Sequence, residues 1–547
     1  MKTTSGAVTE NPLAGGTADV VILGSGAAGL AAALAASVAG LSVVVLEKSD
    51  RIGGTSAMSG AGTWIPANHH QQARGIADSA DAAMAYIAAV LPEDWREEEM
   101  PRWRAFVEHA PEMLRFVEEH TPARFEILSE PDPVLEAPGA CRYGRMLSTL
   151  PLRRKLAGPY AGLLRRSTQP HSLTYEEMIH ANFVHRPLSA YRRNGARILA
   201  RRMAGEATQG TALITGLLRG CLDHGCVVLP SARAMELLMR ETGDGGVAGV
   251  SYEQGGVRHV LHARRGVVIA TGGFEWDADM YAAHFPPRRD LVCSPTTNSG
   301  DGQRMAARAG AALGRMDQMN VAGALPTRYE GAVHGMPLRF QADRHAIVVD
   351  GTGRRFGNEF DFNFGERLLD RDADGNYLHL PAWVIADARI LRHTPILRLY
   401  ARNQPGWLRK APTLAALAAD IDVPADALAQ TVARYNGFAE NGVDGDFGRG
   451  SFGYDRLVAG RDGAMRALDR APFLAMPFNI SLMGTKGGPM TDARARVLRP
   501  DGTVLPGLFA AGNAMANPFG TRAVGTGTTI GPALTWGYIA GRELAQG

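Results

Sequence analysis

The sequence predicts an α/β fold in which one domain is built around a parallel sheet and a second, α+β domain is inserted into it. The first observation is a buried-strand run at 19–23, followed by a glycine-rich turn, an alanine-rich helix and a β-branched strand at 41–46. The second is the different texture of residues 276–464, which are richer in Asp, Arg and aromatic residues. The third is the return of short apolar strands far along the chain, at 226–229, 247–252, 266–270 and 504–511.

Length and composition restrict the class of protein. The chain has 547 residues, enough for roughly two to four domains, and its 45% hydrophobic content excludes a disordered chain. A net charge of +3 is too balanced for a nucleic-acid partner. The four cysteines form no paired motif, so we expect neither a metal site nor a disulfide scaffold; they are Cys141, Cys221, Cys226 and Cys293.

The N-terminal segment predicts a cytoplasmic protein. Residues 1–18 are small and polar, and we expect a flexible tail there. They contain neither the apolar region nor the twin arginine of a secretory signal. The apolar run at 20–46 is interrupted by glycines, so it fits strand, turn, helix and strand better than a membrane span.

The stretch 142–202 is strongly basic, with Glu176 and Glu177 as its acidic residues. One interpretation is a solvated face whose arginines lie along apolar surface. The other is a patch that docks on an anionic membrane surface or an acidic partner.

A glycine-rich turn, Gly24-Ser-Gly26-Ala-Ala-Gly29, follows the first strand and opens the first helix. The glycines allow the backbone to approach a pyrophosphate, whose negative charge then faces the N-terminus of the helix. Glu47 ends the next strand, 18 residues after Gly29, where an acid can accept hydrogen bonds from a ribose hydroxyl. Together these features predict a Rossmann-type dinucleotide-binding domain.

Further glycine turns favour FAD over NAD. The run Gly53-Gly54-Thr55-Ser56 follows the acidic strand, Gly272-Gly273 ends a later strand, and Gly512-Asn513 lies near the C-terminus. Turns from such distant parts of the chain suit a long, extended ligand, whereas an NAD site would be complete within the first half of the chain. The predicted cofactor is therefore FAD.

These motifs resemble those of the flavoproteins of the fumarate reductase and 3-ketosteroid dehydrogenase group. The shared blocks extend over nearly the whole chain and include DVVILGSGAAGLAAALAA, EKSDRIGGTSAMSGAGTWIP, GTKGGPMTDARARVL, GLFAAGNAMA and TTIGPALTWGYIAG. The last three look closest to the 3-ketosteroid dehydrogenase branch. The resemblance implies an FAD-binding domain of residues 19–275 plus 465–547, with a catalytic domain of residues 276–464 between them.

The resemblance also implies which residues contact FAD: Gly24, Gly26, Gly29, Glu47, Gly53, Gly54, Thr55, Ser56, Gly273, Gly512, Asn513, Pro532 and Leu534. The succinate branch of the group carries a covalent histidyl flavin, but the corresponding turn here, GGTSAMSG, has no histidine. We interpret His69-His70, which lies beyond it, as a surface pair. Non-covalent FAD is expected.

The substrate site departs from the 3-ketosteroid dehydrogenase pattern. Members of that branch hold the ring carbonyl with a tyrosine and a glycine near the C-terminus; Gly527 matches the glycine, and Ala523 stands in the place of the tyrosine. Two further family tyrosines have no counterpart, in the loop 131–139 and in the segment 336–340. The backbone N–H of Gly527 is predicted to polarise the carbonyl.

Desaturation beside a carbonyl needs a donor for the enolate oxygen, a base for the α-proton and flavin N5 to accept hydride from the β-carbon. Tyr191 and Tyr329 are the predicted candidates for the base, because each has neighbouring arginines that would lower its pKa. The competing interpretation of each is an ordinary surface or packing tyrosine. The predicted function is FAD-dependent desaturation of a cyclic ketone, steroid-like or smaller, with an external electron acceptor.

The alternative function is a fumarate-type ene-reductase, in which reduced flavin gives hydride to an alkene and an arginine supplies the proton. Arg344 lies near the segment that holds the catalytic arginine of that family, and Arg522 is a second candidate carboxylate binder. A structural ion pair is the competing interpretation of both.

Overall fold

The computed structural model describes residues 16–241 and 245–546. Its strands are β1 (Thr17–Leu23), β2 (Val43–Leu46), β3 (Thr63–Trp64), β4 (Phe125–Ile127), β5 (Met146–Thr149), β6 (Leu152–Arg153), β7 (Glu206–Ala207), β8 (Val227–Leu229), β9 (Ala232–Met239), β10 (Val247–Gln254), β11 (Val257–Ile269), β12 (Leu313–Gly314), β13 (Met319–Val321), β14 (Ala324–Tyr329), β15 (Ala332–Pro337), β16 (Ala346–Asp350), β17 (Ala382–Ala386), β18 (Arg409–Ala411), β19 (Phe473–Pro477), β20 (Leu482–Thr485), β21 (Gly488–Pro489), β22 (Arg496–Leu498) and β23 (Val504–Ala510).

The α-helices are α1 (Ala27–Val38), α2 (Gly54–Met58), α3 (His69–Ala73), α4 (Ala80–Val90), α5 (Arg96–His120), α6 (Tyr175–Ala181), α7 (Pro187–Ala204), α8 (Gln209–Asp223), α9 (Ala278–His284), α10 (Asp301–Arg308), α11 (Ile390–His393), α12 (Ile396–Tyr400), α13 (Leu414–Asp420), α14 (Ala425–Asn441), α15 (Gly453–Ala459) and α16 (Ile530–Gln546).

The largest sheet joins the two ends of the chain. Its order is β22-β23-β11-β1-β2-β8, and the strands from β23 to β8 run parallel. The long strand β11 pairs with β1 along most of its length, while its first half also pairs antiparallel with β10, which in turn pairs with β9. The parallel strands are almost fully buried, in agreement with their continuous apolar sequences.

Helices α1 and α16 pack on this sheet with small and aliphatic side chains, and α8 packs on α1. Helix α16 approaches α1 closely, because Gly537 and Gly541 face its backbone: an added Cβ would lie 2.2 Å from Ala28 O and 2.5 Å from Ala32 O, respectively. The C-terminal helix and the first helix therefore form one packed unit.

A second layer follows in the middle of the chain. Strands β16, β17, β19 and β18 form an antiparallel sheet in that order, with separate hydrophobic clusters packed around it. The mixed α/β fold class predicted from the sequence is confirmed. The predicted domain boundaries at 275/276 and 464/465 stay predictions.

The structure changes two of the expectations drawn from the sequence, the extent of the N-terminal tail and the solvation of the basic stretch 142–202. Residues 1–15 of the predicted tail lie outside the described residues, while Thr17 and Ala18 already belong to β1. In the basic stretch, Arg145 and Arg165 are buried in ion pairs rather than solvated.

Within the described residues, none of the helices combines the length and the apolar character that crossing a bilayer requires.

Candidate active site

Four turns that the sequence analysis singled out meet at one edge of the parallel sheet. They follow the carboxyl ends of β1, β2, β11 and β23, where ligands of open α/β sheets bind. A cleft opens there, with an empty volume of about 1400 Å³ including space open to solvent. Eight of the predicted FAD contacts line it: Gly24, Gly26, Glu47, Gly54, Thr55, Ser56, Gly512 and Asn513.

The first turn requires glycine for steric reasons. Gly24 has a φ of 107°, and an added Cβ would lie 2.5 Å from Ala270 O. Gly26 precedes α1 without a side-chain cap of its own, and Ala27 N donates to Ser56 Oγ at 3.1 Å. The following amides of the first turn have no partner within the helix and remain available to an anion at this end of the cleft. This arrangement fits the pyrophosphate of a dinucleotide.

Glu47 organises the turn as well as lining the cleft. Its Oε2 accepts hydrogen bonds from Ser25 N at 3.1 Å and from Ser25 Oγ at 2.6 Å. Its Oε1 accepts one from Ser49 N at 2.9 Å. Oε1 can accept a further bond, so the predicted contact with a ribose hydroxyl remains open to this residue.

The polar and apolar lining together fit FAD. Buried Asn513 Oδ1 and Thr271 Oγ1 have no hydrogen-bond partner among the described residues, although both side chains line the cleft. Such orphaned acceptors and donors are rare in native proteins unless a ligand satisfies them. Met58, Met483 and Ile530 supply an apolar wall for a flavin ring. No histidine is among the described lining residues, and non-covalent attachment of FAD stays a prediction.

The remaining predicted cofactor residues lie behind the lining. An added Cβ at Gly29 would be 2.0 Å from Gly24 O, and one at Gly53 would be 2.7 Å from the Ala57 side chain, so these glycines allow close packing of the turns. Gly272, rather than Gly273, lines the cleft. Pro532 and Leu534 are buried in α16, where the neighbouring Ala533 faces the cleft. Their direct contact with FAD stays a prediction.

Gly527, the predicted carbonyl donor, lies in the loop just before α16, two residues before the cleft-lining Thr529. Its φ is 99°, and an added Cβ would be 2.5 Å from the backbone of Gly62 and Thr63. The Gly527 carbonyl accepts hydrogen bonds from Trp64 N and Gly531 N, whereas its N–H has no acceptor among the described residues. A backbone donor without an acceptor among the described residues is thus held in a tightly packed loop that leads into the cleft lining at Thr529.

The structure does not bring Tyr191 or Tyr329 into the lining of the cleft. Tyr191 is 54% exposed on α7, with its ring against Phe183. The hydroxyl of Tyr329 donates to Arg166 O at 2.8 Å, and burial raises the pKa of Tyr329 to about 12. Arg165 lowers this pKa, but burial outweighs its effect, so the predicted net lowering is wrong for Tyr329.

The two arginines of the reductase alternative are also placed away from the lining. Arg344 lies in the loop before β16, beside Asp343. Arg522 forms an ion pair with Glu366 at 2.9 Å. This ion pair balances the charge of Arg522, as the structural interpretation of that residue predicts.

A polar cluster that the sequence analysis missed adjoins the cleft. Three cleft-lining residues, Ser59, Pro337 and Thr529, lie within three residues of positions in or against this cluster. An added Cβ at Gly60 would lie 2.5 Å from the Tyr175 ring, and one at Gly62 would lie 2.9 Å from Thr526 Cγ2. We call this set of side chains the polar cluster: Glu130, Tyr175, Arg339, Tyr454 and Thr526.

Burial and charge affect the two titratable acids of the polar cluster, the Glu130 carboxyl and the Tyr175 phenol, in different ways. Burial raises the pKa of Glu130, with a smaller opposing effect of the Thr526 side chain, and Glu130 Oε2 is buried without a partner among the described residues. The charge of Glu130 and burial raise the pKa of Tyr175 far above the usual phenol range. Tyr175 therefore stays a neutral donor, while Glu130 is a carboxyl group poised to accept a proton.

Two groups of described side chains have the composition of metal ligands: His69, His70 and Glu118, and His185, Asp343 and His393. In the first, Nε2 of His69 lies 2.7 Å from Glu118 Oε2; in the second, Nδ1 of His393 lies 2.8 Å from Asp343 Oδ2. Hydrogen bonds account for both groupings. The predicted surface pair His69-His70 is half-buried and bonded to Glu118.

The dinucleotide turns at the carboxyl edge of the parallel sheet, with a polar cluster at the end of the cleft, define the class of a flavin-dependent oxidoreductase. A family model described as "FAD binding domain" matches residues 19–530, and the chain belongs to this family. The resemblance to the 3-ketosteroid dehydrogenase and fumarate reductase group is confirmed, as is FAD as the cofactor.

Similar proteins extend over nearly the whole chain. A 4-oxocyclohexanecarboxylate 2-dehydrogenase of Sinomonas cyclohexanicum is 38% identical, covering 97% of this chain and 93% of its own. A 3-oxosteroid 1-dehydrogenase of Mycobacterium tuberculosis (strain ATCC 25618 / H37Rv) is 34% identical, covering 96% and 98%. The crystal structure of 3-ketosteroid delta1-dehydrogenase from Sterolibacterium denitrificans in complex with 1,4-androstadiene-3,17-dione matches with a TM-score of 0.86 at 29% identity, covering 97% and 100%.

Proposed function

We propose that this protein catalyses the FAD-dependent α,β-desaturation of a cyclic ketone. The observation that carries the proposal is the N–H of Gly527, which has no acceptor among the described residues and lies between the cleft-lining Thr529 and Thr526 of the polar cluster in the chain. The substrates in the names of the similar dehydrogenases, an oxocyclohexanecarboxylate and an oxosteroid, support it. The proposed substrate range spans both kinds of ring ketone.

Each side chain takes a role that its environment supports. FAD, when bound, supplies the acceptor for the hydride that leaves the β-carbon. The N–H of Gly527 and the neutral hydroxyl of Tyr175 hold the carbonyl oxygen, whose negative charge grows as the enolate forms. The Glu130 carboxylate accepts the α-proton, since a carboxyl group of raised pKa is a stronger base than an exposed one. Glu130 thus takes the role first assigned to Tyr191 or Tyr329.

Anaerobic mixing tests this proposal directly. A saturated cyclic ketone should bleach the flavin absorbance and yield the enone in a 1:1 ratio with FAD, because proton and hydride both leave the ring. Cyclohexane derivatives without a carbonyl should leave the flavin oxidised. If instead reduced enzyme is reoxidised by fumarate and no ketone bleaches it, the ene-reductase alternative with an arginine acid is favoured.

We also propose that an external acceptor reoxidises the flavin and that the protein works in the cytoplasm. The four cysteines, Cys141, Cys221, Cys226 and Cys293, are free thiols, which suits a reducing compartment.

Helix α7, within the basic stretch, supports peripheral contact with an anionic membrane. Leu188 and Met203 on one face of α7 are 86% and 77% exposed, and Leu199 lies between them. Arg192 and Arg202 flank this apolar face. A helix of this kind lies in the headgroup region of anionic bilayers.

Co-sedimentation with vesicles checks the membrane proposal. We expect binding to phosphatidylserine-containing vesicles, no binding to phosphatidylcholine alone, and loss of at least about fivefold in the bound fraction for Leu188→Glu with Met203→Glu. Val257→Glu, at an apolar position 56% exposed in β11, is the matched control and should bind normally. Equal binding by all variants would refute a role for α7.

A further inference from the structure

The guanidinium of Arg339, in the polar cluster, donates three hydrogen bonds to uncharged oxygen atoms. Its Nη1 donates to Tyr454 Oη at 2.7 Å, and its Nη2 donates to Phe360 O at 2.7 Å and Asp361 O at 2.9 Å. The guanidinium lies over the rings of Phe362 and Tyr454, 5.3 and 5.6 Å from their centroids. The fork is therefore fixed in one orientation before any ligand arrives.

The guanidinium of Arg339 retains an unused hydrogen-bond donor. No carboxylate of the described residues forms an ion pair with it, and its buried Nε has no hydrogen-bond partner there. Glu130, the carboxylic acid of the polar cluster, interacts with Arg339 electrostatically but forms no ion pair with it within the described residues. A half-buried guanidinium that lacks an ion-pair partner and leaves a donor unused is costly unless an anion completes its hydrogen bonds.

Arg339 lies close to the cleft and to the groups that we propose act on the substrate. The cleft-lining Pro337 is two residues away, and the guanidinium acts electrostatically on both Glu130 and Tyr175. Carboxylates are the anions that a planar guanidinium matches best. An anion bound here would sit beside the groups that hold and deprotonate the ring ketone.

We propose that Arg339 binds a carboxylate carried on the substrate ring, so that the enzyme selects anionic cyclic ketones over neutral ones. This inference rests on the proposed function and narrows it from all ring ketones to carboxylated ones. It also explains why a cation stands in the segment 336–340, where the 3-ketosteroid dehydrogenase pattern has a tyrosine. Tyr454 is then a positioning residue, since its hydroxyl accepts from Nη1.

The test compares two matched substrates, 4-oxocyclohexanecarboxylate and its methyl ester, in the wild-type protein and in Arg339→Met. The wild type should prefer the carboxylate, and Arg339→Met should lower the ratio of the two kcat/KM values roughly 10- to 150-fold, which is the worth of a charge-assisted hydrogen bond. Tyr454→Phe should lower this ratio by a smaller factor. Arg371→Met is the matched control, because Arg371 also bonds and covers a tyrosine, Tyr377, but is exposed.

A binding measurement separates this inference from the proposed function. Cyclohexanecarboxylate has no ring ketone and is therefore not a substrate. It should still perturb the flavin spectrum of the wild type, and it should bind at least about tenfold more weakly to Arg339→Met. If the ratio of kcat/KM values and this affinity are the same in both proteins, or if both substrates lose activity equally, Arg339 is structural and the inference fails. If no ketone reduces the wild-type flavin while cyclohexanecarboxylate still binds through Arg339, the proposed function fails instead.

Discussion

Replacing Glu130 with glutamine should slow flavin reduction by a ketone roughly 10²- to 10⁴-fold, the usual worth of a general base. The amide keeps the size of the side chain but cannot accept the α-proton. The FAD content and spectrum should stay those of the wild type, because Glu130 belongs to the polar cluster and is not among the lining residues of the cofactor cleft. Stopped-flow absorbance under anaerobic conditions measures the rate constant.

The pH profile provides a second readout for Glu130. As the ionised carboxylate is the active form, kcat/KM should rise with pH through the pKa of Glu130, and burial places this rise above the usual carboxyl range. The variant should lack this limb. Glu126→Gln is the control: Glu126 is also a half-buried acid with a raised pKa, on β4, and its loss should change the rate less than about twofold. Wild-type rates in Glu130→Gln would mean that another group is the base.

Gly527→Val should reduce turnover by at least about 10²- to 10³-fold, the range for loss of one oxyanion donor. The side chain would collide with the backbone of Gly62 and Thr63, so the loop must shift and move the N–H away from the carbonyl. The oxidised FAD spectrum should persist, since the glycine turns of the cleft are unchanged. Near-normal kcat would show that the carbonyl binds elsewhere.

A second glycine separates backbone strain from loss of the donor. Gly520 also has a positive φ, 57°, and an added Cβ would lie 2.4 Å from the Trp95 ring. Gly520→Ala should therefore lower the thermal stability as a strained glycine variant does, yet retain most of the turnover. If Gly520→Ala loses activity as completely as Gly527→Val, strain in the C-terminal segment explains both results.

The cofactor half of the site could be predicted from the sequence because its signals are local. Strand period, glycine turn and helix start occupy consecutive residues between 17 and 38, and the same chemistry repeats at the ends of β11 and β23. Parallel pairing then brings the turns together without further information.

The substrate half could not be predicted in this way. Glu130, Tyr175, Arg339 and Tyr454 come from separate loops and helix starts, and no period or spacing connects them. Sequence neighbours were also a poor guide to pKa. Successive residues of a strand point to opposite faces, so Arg328 is exposed while Tyr329 turns inward.

The sheet that joins both ends of the chain has a consequence for biosynthesis. Strand β23 must add to β11, and α16 must settle on α1, before the turn at Gly512 can face the turn at Gly24. Such pairings have high contact order, and their loop-closure cost is met late in folding. A nascent chain that has not yet reached β23 therefore contains the first half of its nucleotide site without the half that closes it, and FAD capture has to wait until β23 and α16 have been synthesised and have folded onto β11 and α1.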